Sequence, residues 1–434
     1  MTTAVHPYIE ALLSGTRELA ESPHAWLNER RGAALERANA LSVPTTRDED
    51  WRFTDLTQLT RQQFRAAADT ASVAAAALAP CAVPEAGSRL VFIDGVYAPA
   101  LSNAGDESSG ALVAPLGAAL ERESRRIEPH LAKLAHFEHN VFAALNTAHL
   151  RDGAVVIVPK GVVCEKPVHV LNVATQAGVV VYPRLLVIAE GAAECTVIEE
   201  FFSLGDDAYF TNALTEIAVA PAARLRHIKL QNEHARAFHI GTCAVDVGRD
   251  ATYISQTVTL GARLSRYDLS VALNGEGGCA QMDGLALISG RQLADTHTLI
   301  DHAQPNGRSA QLHKTIVDGA AHAVFNGKIY VRPGAQLTDS SQQSRNLLLS
   351  DKATVDTKPQ LEIFADDVKC AHGATVGQLD AEQLFYLMSR GLPERAARNL
   401  LTYAFGASVI ERIPVRSVVT RLERAVMAQT GASA

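Results

Sequence analysis

The spacing of apolar positions changes twice along the 434-residue chain, and the two changes divide it into three zones. From residue 1 to about 150 the spacing is mostly helical. Ile9, Leu12, Leu13 and Leu19 fall near one helical face, and Trp26, Leu27, Ala34 and Leu35 near a second. Between them Ser22 reads as an N-cap, with Pro23 at the first helical position. Residues 44–50 are a polar connector ahead of Trp51 and Phe53, and the Ala-rich stretch 67–79 reads as linker or helix. Residues 90–97 predict a strand, a turn and a strand. Residues 129–150, through Phe137, Val141, Phe142 and Leu145, predict a further helix.

Over 151–378 the pattern becomes one of short β-branched strands, each followed by Gly, Pro, Asn or Asp. The breaks resemble one another: EGAA at 190–193, APAA at 220–223, GRDA at 248–251, GEGG at 275–278, DGAA at 318–321. Steps from Ala193 to Ala223, Ala251 and Gly278 are 30, 28 and 27 residues. A nearly constant period of that size is the signature of a solenoid, and strands between small-residue corners make it a β-helix. A large β-sandwich would not explain the regular step.

From 379 to 434 the helical period returns. Asp380 is an N-cap with Gln383 as its capping-box partner, and Leu384, Leu387 and Met388 line one face. Gly391 ends that helix and Pro393 opens the next, whose stripe runs through Ala397, Leu400, Leu401, Ala404, Phe405 and Val409. Beyond Pro414, Val415, Val418, Val419, Leu422 and Val426 form a third apolar face. Three such faces exceed what capping one solenoid end needs, so a protein partner is expected here.

Composition narrows the function. Forty basic and 47 acidic residues leave a net charge of −7, with no pull toward nucleic acid or anionic membrane. No run approaches the roughly 20 apolar residues of a membrane helix. The N-terminus has no basic segment leading into an apolar run, so no secretion signal is expected and the cytoplasm is the expected location. The six cysteines contain no CxxC pair, which argues against a disulfide framework or a complete zinc site; all but Cys370 read as small core residues. Motifs for a P-loop, a dinucleotide fold, a nucleophile elbow and a zinc protease are all missing.

Chemistry concentrates at 366–377, DDVKCAHGATVG. Strand alternation puts Asp366, Val368, Cys370, His372, Ala374 and Val376 on one face and Asp367, Lys369 and Ala371 on the other, with Cys370 and His372 about 7 Å apart at Cα. Thiolate and imidazole suit iron, copper or zinc. Two ligands do not close a site, so further ligands would come from elsewhere, such as a second subunit; filling a core is the competing role for both residues. A second polar patch, Asp295, His297, Asp301, His302, His313 and Lys314, reads as a hydrogen-bonded ladder on the solvent face rather than a metal or acid–base site.

Several stretches together resemble the SufB/SufD family of scaffold components of the Suf iron–sulfur cluster assembly system. They are PTTRDEDWRFTDL at 44–56, FAALN at 142–146, TLIDH at 298–302, FNGKI at 325–329, NLLLS at 346–350, TKPQLEI at 357–363, DDVKCAHGATVG at 366–377 and EQLFYL at 382–387. The Cys-x-His form at 370–372 is similar to the SufD branch. The resemblance implies a right-handed parallel β-helix core at 151–378 between a mostly helical region at 1–150 and helices at 379–434. It implies a non-enzymatic scaffold that pairs with a SufB-like paralogue and binds a SufC-like ABC-type ATPase through the C-terminal helices. A transient iron–sulfur cluster would form at the shared interface, with His372 as the ligand from this side and Cys370 as its neighbour. A homodimer of the chain alone, and a reduced flavin in the complex, are compatible with the resemblance. A β-solenoid enzyme acting on polysaccharide is the alternative, weakened because Asp366 and Asp367 are the only adjacent aspartates late in the solenoid and alternation separates them.

Overall fold

The computed structural model describes residues 7–67, 71–104 and 110–429. They form a β-solenoid of about eight turns with helices at both ends. The N-terminal part holds α1 (Pro7–Leu13), α2 (Ala25–Ala40), α3 (Thr57–Thr60), α4 (Leu116–Ile127) and α5 (Val141–Ala148). Interspersed are the short strands β1 (Arg65–Ala66), β2 (Ser88–Ile93), β3 (Val96–Tyr97) and β4 (Leu112–Pro115). The solenoid begins with β5 (Ala154–Val158), β6 (Val168–Ala174), β7 (Val179–Val181), β8 (Arg184–Ala189), β9 (Glu194–Ser203) and β10 (Phe210–Val219). It continues through β11 (Arg224–Asn232), β12 (Phe238–Val247), β13 (Thr252–Thr259), β14 (Leu264–Leu273), β15 (Cys279–Ile288) and β16 (Leu293–His302). Its last turns are β17 (Arg308–Val317), β18 (His322–Val331), β19 (Thr338–Leu348), β20 (Thr354–Ile363) and β21 (Val368–Gly377). The helices α6 (Ala381–Ser389), α7 (Glu394–Ile410) and α8 (Arg416–Gln429) follow.

From β8 onward consecutive strands alternate between two sheets, and each pairs in parallel with the strand two places away. That is the topology of a parallel β-helix. The corners explain the small-residue period. Ala192, Ala222 and Asp250 adopt positive φ, and the next residue, Ala193, Ala223 or Ala251, is buried inside the coil. A left-handed residue with a Cβ costs roughly 1 kcal/mol, which the ladders on either side offset.

The interior begins apolar, with Leu185, Val187, Val197 and Ile217 in one cluster. It also holds charged groups that pair with one another. Lys229 Nζ lies 3.1 Å from His239 Nε2, whose Nδ1 lies 2.7 Å from Glu233. His227 Nε2 lies 3.1 Å from Glu199. Burial pushes the Lys229 amine down to about 8. Toward the C-terminal turns the interior turns polar, with Gln311, His313, Gln342, Ser344 and Asn346 buried.

The flanking helices cover the outer faces. α1, α2 and α5 pack on Phe210, Leu214, Phe238 and Ile240. α7 and α8 pack Val409, Ile410, Val418 and Leu422 on Ile198, Ile228, Leu285 and Ile316 of the other sheet. Arg412 pairs with Asp283 at 2.6 Å, and Arg421 with Glu200 at 2.7 Å. The 44–56 segment is held to the solenoid by Arg266, which lies 3.8 Å from the Trp51 ring centroid and pairs with Asp295 and Asp268. No helix among the described residues is long and apolar enough to cross a membrane.

Several local expectations are corrected. The helix expected over 129–150 is confined to Val141–Ala148, because Asn140 caps it by accepting from the Phe142 and Ala143 N–H groups. Upstream, the N–H groups of Ala132, Lys133, Leu134 and Ala135 instead wrap the buried Glu216 carboxylate at 2.7–3.0 Å. α4 has no counterpart in the sequence reading. Ser22 does not cap α2, whose N-cap is His24; the Ser22 hydroxyl accepts from the His24 N–H instead. In the stretch 67–79, Ala75 opens a 3-10 turn ending at Cys81, and 68–70 lie outside the described residues. The residues 90–97 do form the strand–turn–strand unit, with Asp94 and Gly95 at positive φ.

Candidate functional site

Among the described residues β21 is the last strand of its sheet and pairs only with β19. The ladder sets Cys370 beside Ser340 and His372 beside Gln342. Ser340, Gln342 and Ser344 are buried, whereas Asp339, Ser341 and Gln343 are exposed. Cys370 and His372 therefore extend the inward-facing rows of the solenoid. Strand alternation puts them on one face, as the pattern of residues predicts. Asp366 and Asp367 precede the strand in a bend, so alternation does not extend to them.

The surroundings of the two residues differ. Cys370 is half-buried and packs on the cluster of Ile329, Val331, Ala335 and Ala365. Burial first, and the nearby Asp339 carboxylate second, raise its thiol above the ordinary value. Lys369 is exposed. His372 is exposed, as are Ala374 and Val376 beyond it. No further coil covers this end among the described residues. β20 is likewise the last strand of the other sheet, and Ile363 and Phe364 after it are 37% and 56% exposed. The solenoid thus ends in two unpaired strand edges and an uncovered interior, a template for pairing with another chain.

Beneath this end the interior keeps hydrogen-bonding capacity. Both amide atoms of Gln342, Nε2 of Gln311 and Nε2 of His313 are sealed and have no partner among the described residues. His313 stacks on Phe325, with centroids 4.5 Å apart, and burial pushes its imidazole down to about 3. As chemistry, the end offers one imidazole and one thiol. The described residues contain no group of three His, Cys, Asp or Glu side chains placed to hold a metal ion.

The second polar patch does not form one ladder on the solvent face. Asp295 and His297 face outward, 3.0 Å apart, beneath Arg266. Thr298, His302 and His313 face inward and are buried: Thr298 donates to Gln311, and His302 Nε2 lies 2.9 Å from the Ser309 hydroxyl. Lys314 donates to the Phe405 carbonyl and lies over the Phe405 ring, tying α7 to the solenoid. The cysteines also divide. Cys81, Cys195 and Cys243 are buried as expected, but Cys164 and Cys279 are only half-buried.

A second surface emerges at α6. None of its residues is buried. Phe385 is 72% exposed and Tyr386 57%, and a groove of about 950 Å³ runs between α6 and Leu400, Leu401 and Ala404 of α7. Periodicity points to Leu384, Leu387 and Met388 as the apolar stripe. The signal for the exposed pair is two adjacent aromatics beside that stripe.

Two family models match the chain. One described as the SufBD core domain of SUF system FeS cluster assembly covers residues 172–405, and one described as the SufBD protein N-terminal region covers residues 3–170. An iron–sulfur cluster assembly SufBD family protein of Synechocystis sp. is 38% identical over 432 residues, 97% of this chain and 94% of that protein. The iron–sulfur cluster assembly protein SufD of Escherichia coli is 38% identical over 387 residues, 87% of each chain. A chloroplastic protein of Arabidopsis thaliana, ABCI7, is 30% identical over 95% of this chain and 88% of its own length.

Proposed function

The chain belongs to the SufBD family of the SUF iron–sulfur cluster assembly system, and from that membership we propose that it is a non-enzymatic scaffold subunit on the SufD branch. It pairs with a SufB-like paralogue through the uncovered end of the solenoid. A nascent iron–sulfur cluster, the cargo of the system, assembles at that junction with His372 as the ligand from this side. Cys370 borders the site and is the weaker candidate, since its thiol is held protonated.

The observation that carries this reading is the ending of both sheets in free edges, with His372 exposed on the inward-facing row of the last strand. One imidazole and one thiol cannot complete a cluster's ligand set, which favours a shared site. The ATPase contact is assigned to α6 and the groove behind it. An ABC-type ATPase bound there would act on the cluster site through a change in relative subunit position.

The test is co-expression with a SufB-like paralogue and an ABC-type ATPase, with anaerobic purification and a visible spectrum. The reading expects a stoichiometric complex with absorption from bound cluster. A chain that purifies alone from all such combinations would refute it.

A further inference from the structure

Two thiols in the first solenoid turn are placed for chemistry that cluster assembly does not use. Cys164 lies in the connection between β5 and β6, and Cys195 is the second residue of β9. A parallel bridge pairs Val163 with Glu194. Around it the Cys164 N–H donates to the Glu194 carbonyl at 2.8 Å, and the Glu194 N–H donates to the Val162 carbonyl at 2.9 Å. The next register position sets Cys164 beside Cys195. Strand neighbours lie about 4.8 Å apart, inside the roughly 4.4–6.8 Å Cα separation a disulfide needs.

The side chains meet as well. Cys195 is buried in the interior cluster, and Cys164 packs on that cluster while remaining half-buried. The neighbouring Cys195 thiol draws the Cys164 thiol below its ordinary value, against the opposing push of burial. The Cys164 thiol, and then burial, push Cys195 well above its own. The other two half-buried cysteines differ, since burial raises both Cys279 and Cys370. Cys81 and Cys243 are fully buried. A reachable thiol poised beside a sheltered one is the arrangement of a peroxide-reactive cysteine with its resolving partner.

We propose that Cys164 is a site of oxidation by peroxides, with Cys195 as its resolving thiol. The Cys164 thiolate attacks one peroxide oxygen and breaks the O–O bond. It becomes a sulfenic acid, and the other peroxide oxygen leaves as hydroxide, which takes up the proton the Cys164 thiol gave up and becomes water. Cys195 sulfur then attacks the sulfenic sulfur, the S–O bond breaks, and a second water departs with the Cys195 proton. In sum two thiols and one hydrogen peroxide give one disulfide and two waters. The product would tether the 159–167 connection to β9.

The full chain treated with one equivalent of hydrogen peroxide, then denatured and alkylated, provides the test. Free thiols should fall from the six of the sequence toward four, with the loss mapped by peptide mass to a Cys164–Cys195 link that dithiothreitol reverses. Cys164 should react at least about tenfold faster than Cys279, as thiolate fraction and exposure dictate. Cys195→Ser should stop at a sulfenic acid on Cys164 that dimedone traps, and Cys164→Ser should leave Cys195 reduced. Six thiols recovered after treatment, a disulfide elsewhere, or equal reaction at Cys279 would overturn the assignment.

Discussion

His372 and Cys370 share a strand face, but their surroundings set different outcomes for substitution. His372 is exposed, so His372→Ala should change stability by less than about 0.5 kcal/mol, and its effect should fall on the cluster alone. Cys370 packs on the cluster of Ile329, Val331, Ala335 and Ala365, so Cys370→Ala should cost about 1 kcal/mol and lower cluster content less; thermal melts beside iron analysis separate the two. His313 makes a prediction about pH. Its imidazole is neutral in the fold, held down to about 3, whereas the unfolded chain takes up that proton near pH 6.5. Stability is therefore complete above about pH 6.5 and is lost as pH falls toward the folded value. His149 and His302, each held down to about 4 by burial, act in the same direction. The melting temperature should fall steadily from pH 7 to 4.5, and His313→Gln should flatten that fall; an unchanged slope would show that His313 is not a source of it. At this scale alternation alone reveals which residues share a face on β21. It cannot reveal that the face lies open, because that depends on where the solenoid stops. Nor does it distinguish His313, inside, from His297, outside, since the patch spans two strands whose phases are set by different corners.

At the scale of elements, the C-terminal helices divide their roles. The stripes of α7 and α8 are spent on the solenoid, with Val409, Ile410, Val418 and Leu422 against Ile198 and Ile316. Deleting residues 393–434 would strip that face and break the Arg421–Glu200 pair, so it would not isolate a partner contact. Substitution in α6 does. The double change Phe385→Ser and Tyr386→Ser should abolish co-purification of the ATPase and leave the melting temperature within about a degree, because surface changes seldom move stability; pull-down and a thermal scan on one preparation check both halves. Asp380 and Gly391 are legible punctuation and act as expected: the Asp380 carboxylate accepts from the Glu382 and Gln383 N–H groups, and Gly391 turns with positive φ, while Pro393 stands one place outside α7 as its N-cap rather than at its first position. The turn at 128–139 is not legible, because Glu216, more than 80 residues away, supplies the acceptor for four of its N–H groups. Glu216→Ala should leave those donors unpaired and the buried Arg184 without its carboxylate, keeping only its bonds to Asn146 and Thr147, and cost about 3–5 kcal/mol in urea unfolding; a cost under about 1 kcal/mol would show that the turn holds itself.

For the whole molecule, the period was the most legible property. Steps of 30, 28 and 27 residues between small-residue corners correspond to Ala193, Ala223, Ala251 and Gly278 each following a left-handed turn residue. The polar filling of the solenoid was less so, since inward Lys229, His239 and Glu233 look like surface residues until the coil brings them together. The same geometry gives the molecule two unlike surfaces: a solenoid end with free strand edges, and an apolar groove at α6. Placing a SufB-like subunit on the first and an ATPase on the second leaves His372 at the junction. The most direct measurement is the iron and acid-labile sulfide content of the anaerobically purified three-component complex carrying His372→Ala, normalised to subunit stoichiometry. Unchanged stoichiometry with cluster content sharply below that of the parent complex is the predicted result. Undiminished iron and sulfide in an intact complex would contradict the placement of His372 at the cluster.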